Sequence, residues 1–134
     1  MPETGRCYCG QVRFEVNAAP LMKGQCYCRE CQYISGGAPN NFLAIPADSF
    51  AYTSGAPKTF TRGDLANAVT REFCPDCGTH LATRNANWTY VIVKVGALDD
   101  PASFTPVVAI QLADKQPFHN VPEGVKQFDR WPPR

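Results

Sequence analysis

Polar and apolar residues alternate with a period of two near the start of the chain. In the segment 11–16, Val12, Phe14 and Val16 fall on one face and polar residues fall on the other. This alternation is typical of a β-strand with one buried face. Residues 89–95 are apolar on both faces, which predicts a strand in the centre of a sheet.

Glycine and proline separate the other apolar or alternating segments. The chain contains 10 glycines and 12 prolines, and they leave no long window for a helix. This pattern predicts a mainly β fold of short antiparallel strands. Segments 50–53 and 58–62 are expected to form a hairpin or meander across the turn at 54–57. The other predicted strands are 21–28, 41–45, 68–73, 79–84 and 107–112, with helical turns at 29–35 and 99–102.

The length of 134 residues predicts a single domain covering residues 1–134, with a core at about 3–114 and an irregular tail at 115–134. A hydrophobic content of 44% is ordinary for a globular protein. No apolar run is long enough to cross a bilayer, and the N-terminus lacks the features of a secretory signal. A cytoplasmic location is therefore expected, where cysteines stay reduced.

The charged residues are nearly balanced. Lysine and arginine number 13 against 12 aspartates and glutamates, so the formal net charge is +1. This balance gives no reason to expect nucleic acid or a membrane surface as a partner.

Three cysteines lie within six residues, at Cys26, Cys28 and Cys31. In an extended segment the first two project from one face with Cα atoms about 6.6 Å apart, and a bend brings the third back. Disulfides at these spacings would close strained rings. Zinc binds thiolates tetrahedrally at about 2.3 Å, and three protein ligands with one open position are the form of catalytic zinc. We therefore predict an open zinc site here, with buried inert cysteines as the alternative.

The remaining cysteines form two pairs about sixty-five residues apart. One pair flanks a two-residue turn followed by Gly78, which is typical of a zinc knuckle. A redox role for this pair would require a helix after it, and none is predicted. Seven cysteines cannot all form disulfides, but they divide naturally into four and three. We predict two zinc ions, one of them structural and held by Cys7, Cys9, Cys74 and Cys77.

The two histidines, His80 and His119, are weaker candidates for the open position. His80 follows the knuckle closely in sequence, and His119 lies in the proline-rich tail. We expect neither to complete the three-cysteine site.

Three motifs together resemble the glutathione-dependent formaldehyde-activating enzyme (GFA) and centromere protein V family. They are residues 5–14, 26–31 and 73–79. The resemblance implies a β-tent fold, a structural zinc held by the first and third motifs, and a three-cysteine zinc held by the second. It also implies carbon–sulfur lyase activity on the adduct of glutathione and formaldehyde. The chain departs from the family pattern at Tyr27 and Gln32, and these departures leave the cysteines intact.

A zinc ion with three thiolate ligands carries a net charge of about −1, which suits a soft thiol better than water. We hypothesise that the sulfur of glutathione, or of a similar thiol, becomes the fourth ligand with a lowered pKa and then adds to, or leaves, a small aldehyde. Arg29 or Arg13 is a candidate partner for a substrate carboxylate. Tyr27 is a candidate proton donor, with a packing role as the alternative.

Two other functions are open to this sequence. A non-catalytic, zinc-stabilised protein-binding module would have a saturated second zinc. A thiol-based redox or metal sensor would lose zinc on mild oxidation.

Overall fold

The predicted mainly β fold is confirmed by a computed structural model, which describes residues 2–133. Within this range, no helix has the length and apolar character needed to cross a membrane. The helix is α1 (Arg29–Ile34), and short 3-10 turns cover Ala47–Ser49, Val95–Ala97, Pro101–Ser103 and Leu112–Asp114. The strands are β1 (Glu3–Arg6), β2 (Arg13–Val16), β3 (Met22–Cys26), β4 (Asn40–Pro46), β5 (Phe50–Ser54), β6 (Lys58–Thr61), β7 (Thr70–Phe73), β8 (His80–Arg84), β9 (Tyr90–Lys94), β10 (Val108–Ile110) and β11 (Lys126–Gln127).

Residues 2–133 form two sheets. The smaller has the order β1-β2-β5, and the larger has the order β11-β10-β3-β4-β9-β8-β7-β6. Neighbouring strands are antiparallel except at one edge, where β10 runs parallel to both β3 and β11. Strand β9 lies between β4 and β8, which confirms the central position predicted from its apolar sequence.

The two sheets enclose the main hydrophobic core. Phe14 and Val16 of β2 belong to the same buried cluster as Ile45 of β4 and Val91 of β9. The rings of Phe14 and Phe50 have centroids 5.2 Å apart. Two sheets that pack on one shared core agree with the β-tent fold that the resemblance implied.

The opposite face of the larger sheet carries a second, smaller apolar cluster. Because successive side chains of a strand point to opposite faces, β4 serves both clusters. Leu43 and Ile45 join the main core, and Phe42 and Ala44 join the second cluster. Cys26 and Cys31 belong to this second cluster as well, so the larger sheet separates the two predicted cysteine groups.

The hairpin or meander predicted from segments 50–53 and 58–62 is wrong. Strand β5 pairs with β2 in the smaller sheet, whereas β6 pairs with β7 in the larger one. The buried ring of Phe50 packs against Phe14, and the Tyr52 hydroxyl donates a 2.6 Å hydrogen bond to Glu72. All four residues of β6 are exposed, so β5 and β6 share no buried face. Packing against distant strands therefore outweighed the local turn signal.

Two strands were not predicted, β1 near the N-terminus and β11 within the tail. The tail is held by backbone hydrogen bonds, including one from Phe128 N to the Ala109 carbonyl and one from Gln111 N to the Arg130 carbonyl. The helical turn predicted at 99–102 is confirmed by the 3-10 turn Pro101–Ser103. The Asp100 side chain caps this turn by accepting a hydrogen bond from Ala102 N.

Gly5 is expected to tolerate no side chain. A Cβ at this position would overlap the ring of Phe14 and lie 2.5 Å from the Ala97 carbonyl oxygen. The ring is buried and the carbonyl is backbone, so neither moves easily. Gly5→Ala should lower the free energy of unfolding by about 1–3 kcal/mol, the usual cost of overpacking. Urea denaturation at matched metal content measures this change.

The matched control is Gly63→Ala, because nothing lies within 4 Å of a Cβ at Gly63. Its free energy of unfolding should stay within about 0.5 kcal/mol of the parent. Equal stability of the two variants would contradict the predicted overlap at Gly5.

Candidate metal centres

Four cysteines from distant parts of the chain meet beside the main core. Their sulfur atoms all lie within 4.8 Å of one another. The distance is 3.6 Å between Cys7 Sγ and Cys9 Sγ, and 3.8 Å between Cys9 Sγ and Cys74 Sγ. Four thiolates bound to one zinc ion at about 2.3 Å would be about 3.8 Å apart, so these distances fit a tetrahedral site. We call Cys7, Cys9, Cys74 and Cys77 the four-cysteine group.

Backbone amides point at the sulfur atoms of this group. Val12 N donates to Cys7 Sγ at 3.3 Å, and Asp76 N donates to Cys74 Sγ at 3.4 Å. Hydrogen bonds from Thr79 lower the pKa of Cys77 to about 5. Such donors stabilise the thiolate form, which is the form that binds metal. The turn after Cys77 continues through Gly78 at a φ of +75°, a conformation that favours glycine.

Three cysteines meet on the other face of the larger sheet. Strand β3 ends at Cys26, Cys28 is the N-cap of α1, and Cys31 lies in the first turn of that helix. Their sulfur atoms also lie within 4.8 Å of one another, and Cys31 N donates to Cys28 Sγ at 3.3 Å. The predicted bend after Cys28 is therefore the start of a helix. We call these residues the three-cysteine group.

The thiols of the three-cysteine group influence one another strongly. The Cys26 and Cys31 thiols can donate hydrogen bonds to Cys28, and this lowers the pKa of Cys28. The hydrogen bonds of Cys26 with Cys28 and Cys31, with burial, raise the pKa of Cys26. Thiols packed this closely cannot all ionise without a cation to balance their charge. The chemistry of this donor set fits a soft metal ion such as zinc.

Two cations that sequence reasoning missed lie near this group. Lys94 is buried, its Nζ donates a 2.9 Å hydrogen bond to Thr83 Oγ1, and it interacts electrostatically with all three thiols. Burial lowers the pKa of Lys94 to about 8, and the three nearby thiols act in the opposite direction by favouring the charged ammonium form. Arg71 interacts electrostatically with Cys28 and forms a 3.5 Å ion pair with Glu30. Lys94 could have been found from the sequence, because it is a lysine inside the apolar segment 89–95. No sequence feature pointed to Arg71.

A cavity of about 630 Å³ opens beside the three-cysteine group, and all three of its cysteines belong to the lining. Most of the remaining lining is apolar and comes from the second cluster and from aromatic residues near it. The three-cysteine group thus has an accessible side. The four-cysteine group lines no part of this cavity.

The other predicted site residues take different positions. Arg29 lines the cavity, and its Nη1 donates a 2.6 Å hydrogen bond to Gln32 Oε1. Tyr27 is fully buried, its ring contacts His119, and its hydroxyl donates to Gln25 Oε1 at 2.8 Å. Burial raises the pKa of Tyr27, and the residue does not line the cavity. Arg13 lies on β2 in the smaller sheet and is also outside the lining.

Neither histidine joins a cysteine group. His119 Nδ1 accepts a hydrogen bond from Gln116 N, and its Nε2 donates to the Gly37 carbonyl at 2.7 Å, so both ring nitrogens are engaged. His80 packs against Phe73, and its Nδ1 is buried with no hydrogen-bond partner among the described residues. Burial lowers the pKa of His80.

The side chain of Gln32 holds α1 in place beside the cavity. Its buried amide nitrogen donates to the carbonyls of Tyr27 and Asp114 at 2.8 and 3.0 Å. Its oxygen accepts from Arg29 and from Gln116. This neutral side chain therefore ties the helix to the segment after β10.

The fold and these two groups define a class of small β proteins whose thiols are arranged to hold metal ions. Residues 2–114 match the sequence profile of the family described as glutathione-dependent formaldehyde-activating enzyme. The chain belongs to this family, as its three motifs predicted.

Individual relatives are more distant. A Penicillium rubens protein named "Putative glutathione-dependent formaldehyde-activating enzyme" is 32% identical over 81 residues. The aligned region covers 59% of this chain and 42% of that protein, so the chain spans less than half of this relative's length. The crystal structure of a Rhodobacter sphaeroides protein matches with a TM-score of 0.58 and 21% identity, over 72% of this chain and 87% of the other. That similarity supports the fold alone.

Proposed function

We propose that this chain is a carbon–sulfur lyase. Its substrate would be the adduct of a thiol, such as glutathione, with formaldehyde or a similar small aldehyde. The observation that carries this proposal is the opening of the three-cysteine group onto a cavity of about 630 Å³. Membership of the family supports the same chemistry.

Two zinc ions are the proposed cofactors. The four-cysteine group would hold a structural ion, because four thiolates saturate it. The three-cysteine group would hold the second ion. Zinc bound there supplies one further coordination position for a soft thiolate and lowers the pKa of the thiol that occupies it.

The side chains around the cavity have separate roles in this proposal. Lys94 and Arg71 offset the negative charge of three thiolates. Arg29 and Arg71 line the cavity and can bind a substrate carboxylate through paired N–H groups. When the adduct forms, the thiol sulfur bonds to the carbonyl carbon and the thiol proton ends on the carbonyl oxygen. The lyase direction is the reverse. Tyr27 is left with a packing role, because its hydroxyl faces Gln25.

The alternatives make different predictions. A non-catalytic binding module would have a saturated second metal group, whereas the cavity reaches all three cysteines of the three-cysteine group. A redox or metal sensor would release metal on mild oxidation. The cytoplasmic location stays a prediction.

Cobalt substitution is the test of this function. Cobalt in place of zinc makes the coordination visible as thiolate charge-transfer and ligand-field absorption. Glutathione at millimolar concentration should perturb the bands of the three-cysteine group, which borders the cavity, and leave those of the four-cysteine group unchanged, because four protein thiolates already saturate that ion.

The control is Cys28→Ala, in which the response should disappear. An unchanged cobalt spectrum in the parent protein would remove the thiol-binding mechanism and favour the binding module. Release of cobalt on mild oxidation, with no response to glutathione, would favour the sensor.

A further inference from the structure

The lining of the cavity is more apolar than formaldehyde requires. Phe42 and Ala44 of β4 and Ile92 of β9 contribute from adjacent strands. Aromatic rings add to them: Trp88 and Tyr90 are stacked with centroids 5.0 Å apart, and Trp131 also lines the cavity. These side chains continue the apolar cluster that contains Cys26 and Cys31.

The charges of the lining are few and largely matched. Three arginines and two carboxylates belong to it, a net charge of +1. Arg71 is paired with Glu30, and Arg130 is paired with Asp114 at 3.0 Å. Arg29 already donates to Gln32. This arrangement can hold one anionic group of a ligand but leaves most of the cavity to apolar groups.

The volume indicates how large those groups are. Cavities of about 300–1,000 Å³ bury most of the surface of a drug-sized ligand. The 630 Å³ found here lies within that range. Formaldehyde contributes a single carbon, whereas each additional buried methylene gains about fourfold in affinity.

We propose that the carbon bonded to the substrate sulfur carries an apolar, aromatic group, which occupies the cavity between the three-cysteine group and the rings of Trp88 and Trp131. The substrate class is thus the hemithioacetal of an aldehyde whose side chain carries an aromatic ring. Its formation makes one carbon–sulfur bond and converts the carbonyl to a hydroxyl that takes the thiol proton. No oxidant or reductant is required. This inference rests on the proposed function and specifies its aldehyde.

Tryptophan fluorescence tests the inference without relying on turnover. The chain has two tryptophans, and both line the cavity. The zinc-loaded protein is titrated with 2-phenylethanethiol and with ethanethiol, which differ only in the phenyl group. We expect a fluorescence change and at least tenfold tighter binding for 2-phenylethanethiol.

Kinetics provide a second test. The specificity constant kcat/KM of the lyase reaction should be at least tenfold higher for the glutathione adduct of phenylacetaldehyde than for that of formaldehyde.

Ile92→Thr is the test variant, because threonine keeps the β-branched shape but places a hydroxyl in the lining. It should weaken binding of 2-phenylethanethiol about fivefold or more and leave ethanethiol unchanged. Trp131→Ala is a second variant for the same weakening of 2-phenylethanethiol binding. Trp131 is exposed enough to be dispensable for folding, and Trp88 remains as the fluorescent reporter. Phe118→Ala is the matched control, an exposed aromatic outside the lining, and should bind both thiols normally.

The outcomes separate this inference from the proposed function. Equal affinity for the two thiols, with a cobalt spectrum that still responds to them, would overturn the aromatic substrate and leave the thiol chemistry standing. Binding of 2-phenylethanol as tight as that of 2-phenylethanethiol, with a cobalt spectrum that ignores both, would overturn both proposals. The cavity would then be an apolar site unrelated to the cysteines.

Discussion

Cys74→Ala is expected to abolish the folded state. Cys74 is fully buried, and the four-cysteine group joins segments 65 residues apart next to the main core. A structural zinc contributes on the order of 10 kcal/mol to folding, which is comparable with the whole stability of a domain, about 5–15 kcal/mol. We expect insoluble protein, or soluble protein without β-sheet signal in circular dichroism and with less than one zinc per chain.

The paired variant is Cys28→Ala in the three-cysteine group. Cys28 is partly exposed and borders the cavity, so its loss should leave a folded chain with one zinc instead of two. Because Cys28 Sγ also caps α1, Cys28→Ser keeps an acceptor for Cys31 N and separates loss of metal from loss of the cap. If these variants unfold as completely as Cys74→Ala, the distinction between a structural and an open site is lost.

Lys94→Met is expected to weaken zinc binding at the three-cysteine group by about 10–100-fold, the usual effect of removing a group that supports metal ligands. A zinc ion with three thiolates keeps a net negative charge, and the Lys94 ammonium offsets that charge inside the protein. Methionine preserves the length and apolar stem of the side chain. Competition with a chromophoric chelator measures both zinc affinities.

Zinc bound to the four-cysteine group should be retained with unchanged affinity. Lys126→Met is the matched control, because Lys126 is exposed on β11 at the sheet edge. Arg71→Gln should weaken zinc binding less than Lys94→Met does, since Arg71 is partly exposed and already forms an ion pair with Glu30. Unaltered zinc affinity in Lys94→Met would show that this buried charge serves the fold rather than the metal.

The cysteine groups could be predicted because their signal is local. Three thiols within six residues can converge whatever the rest of the fold does, and the pair at Cys74 and Cys77 is shaped by its own turn. Assigning Cys7 and Cys9 to the same metal group as that pair required only a count of seven cysteines. The structure brings these same four sulfur atoms together.

The surroundings of the three-cysteine group could not be predicted in this way. Met22, Ile92 and Trp131 line one cavity although they lie far apart in sequence. Which face of a strand turns toward the cavity depends on its register, and a shift of one residue would reverse that choice. The error at β5 and β6 has the same origin, since a turn signal specifies a reversal of the chain but not the strand that will accept the pairing.

The sequence by itself determined the β class and the two thiol groups, because strand alternation, glycine and proline breaks and cysteine spacing act over a few residues. The family followed from the resemblance of its three motifs. The tertiary structure alone decided that the larger sheet separates the two groups and that Lys94 and Arg71 lie beside one of them. It also decided that an apolar cavity borders only the three-cysteine group. These features depend on long-range strand pairing, which is set by the packing of whole sheets and not by any short segment.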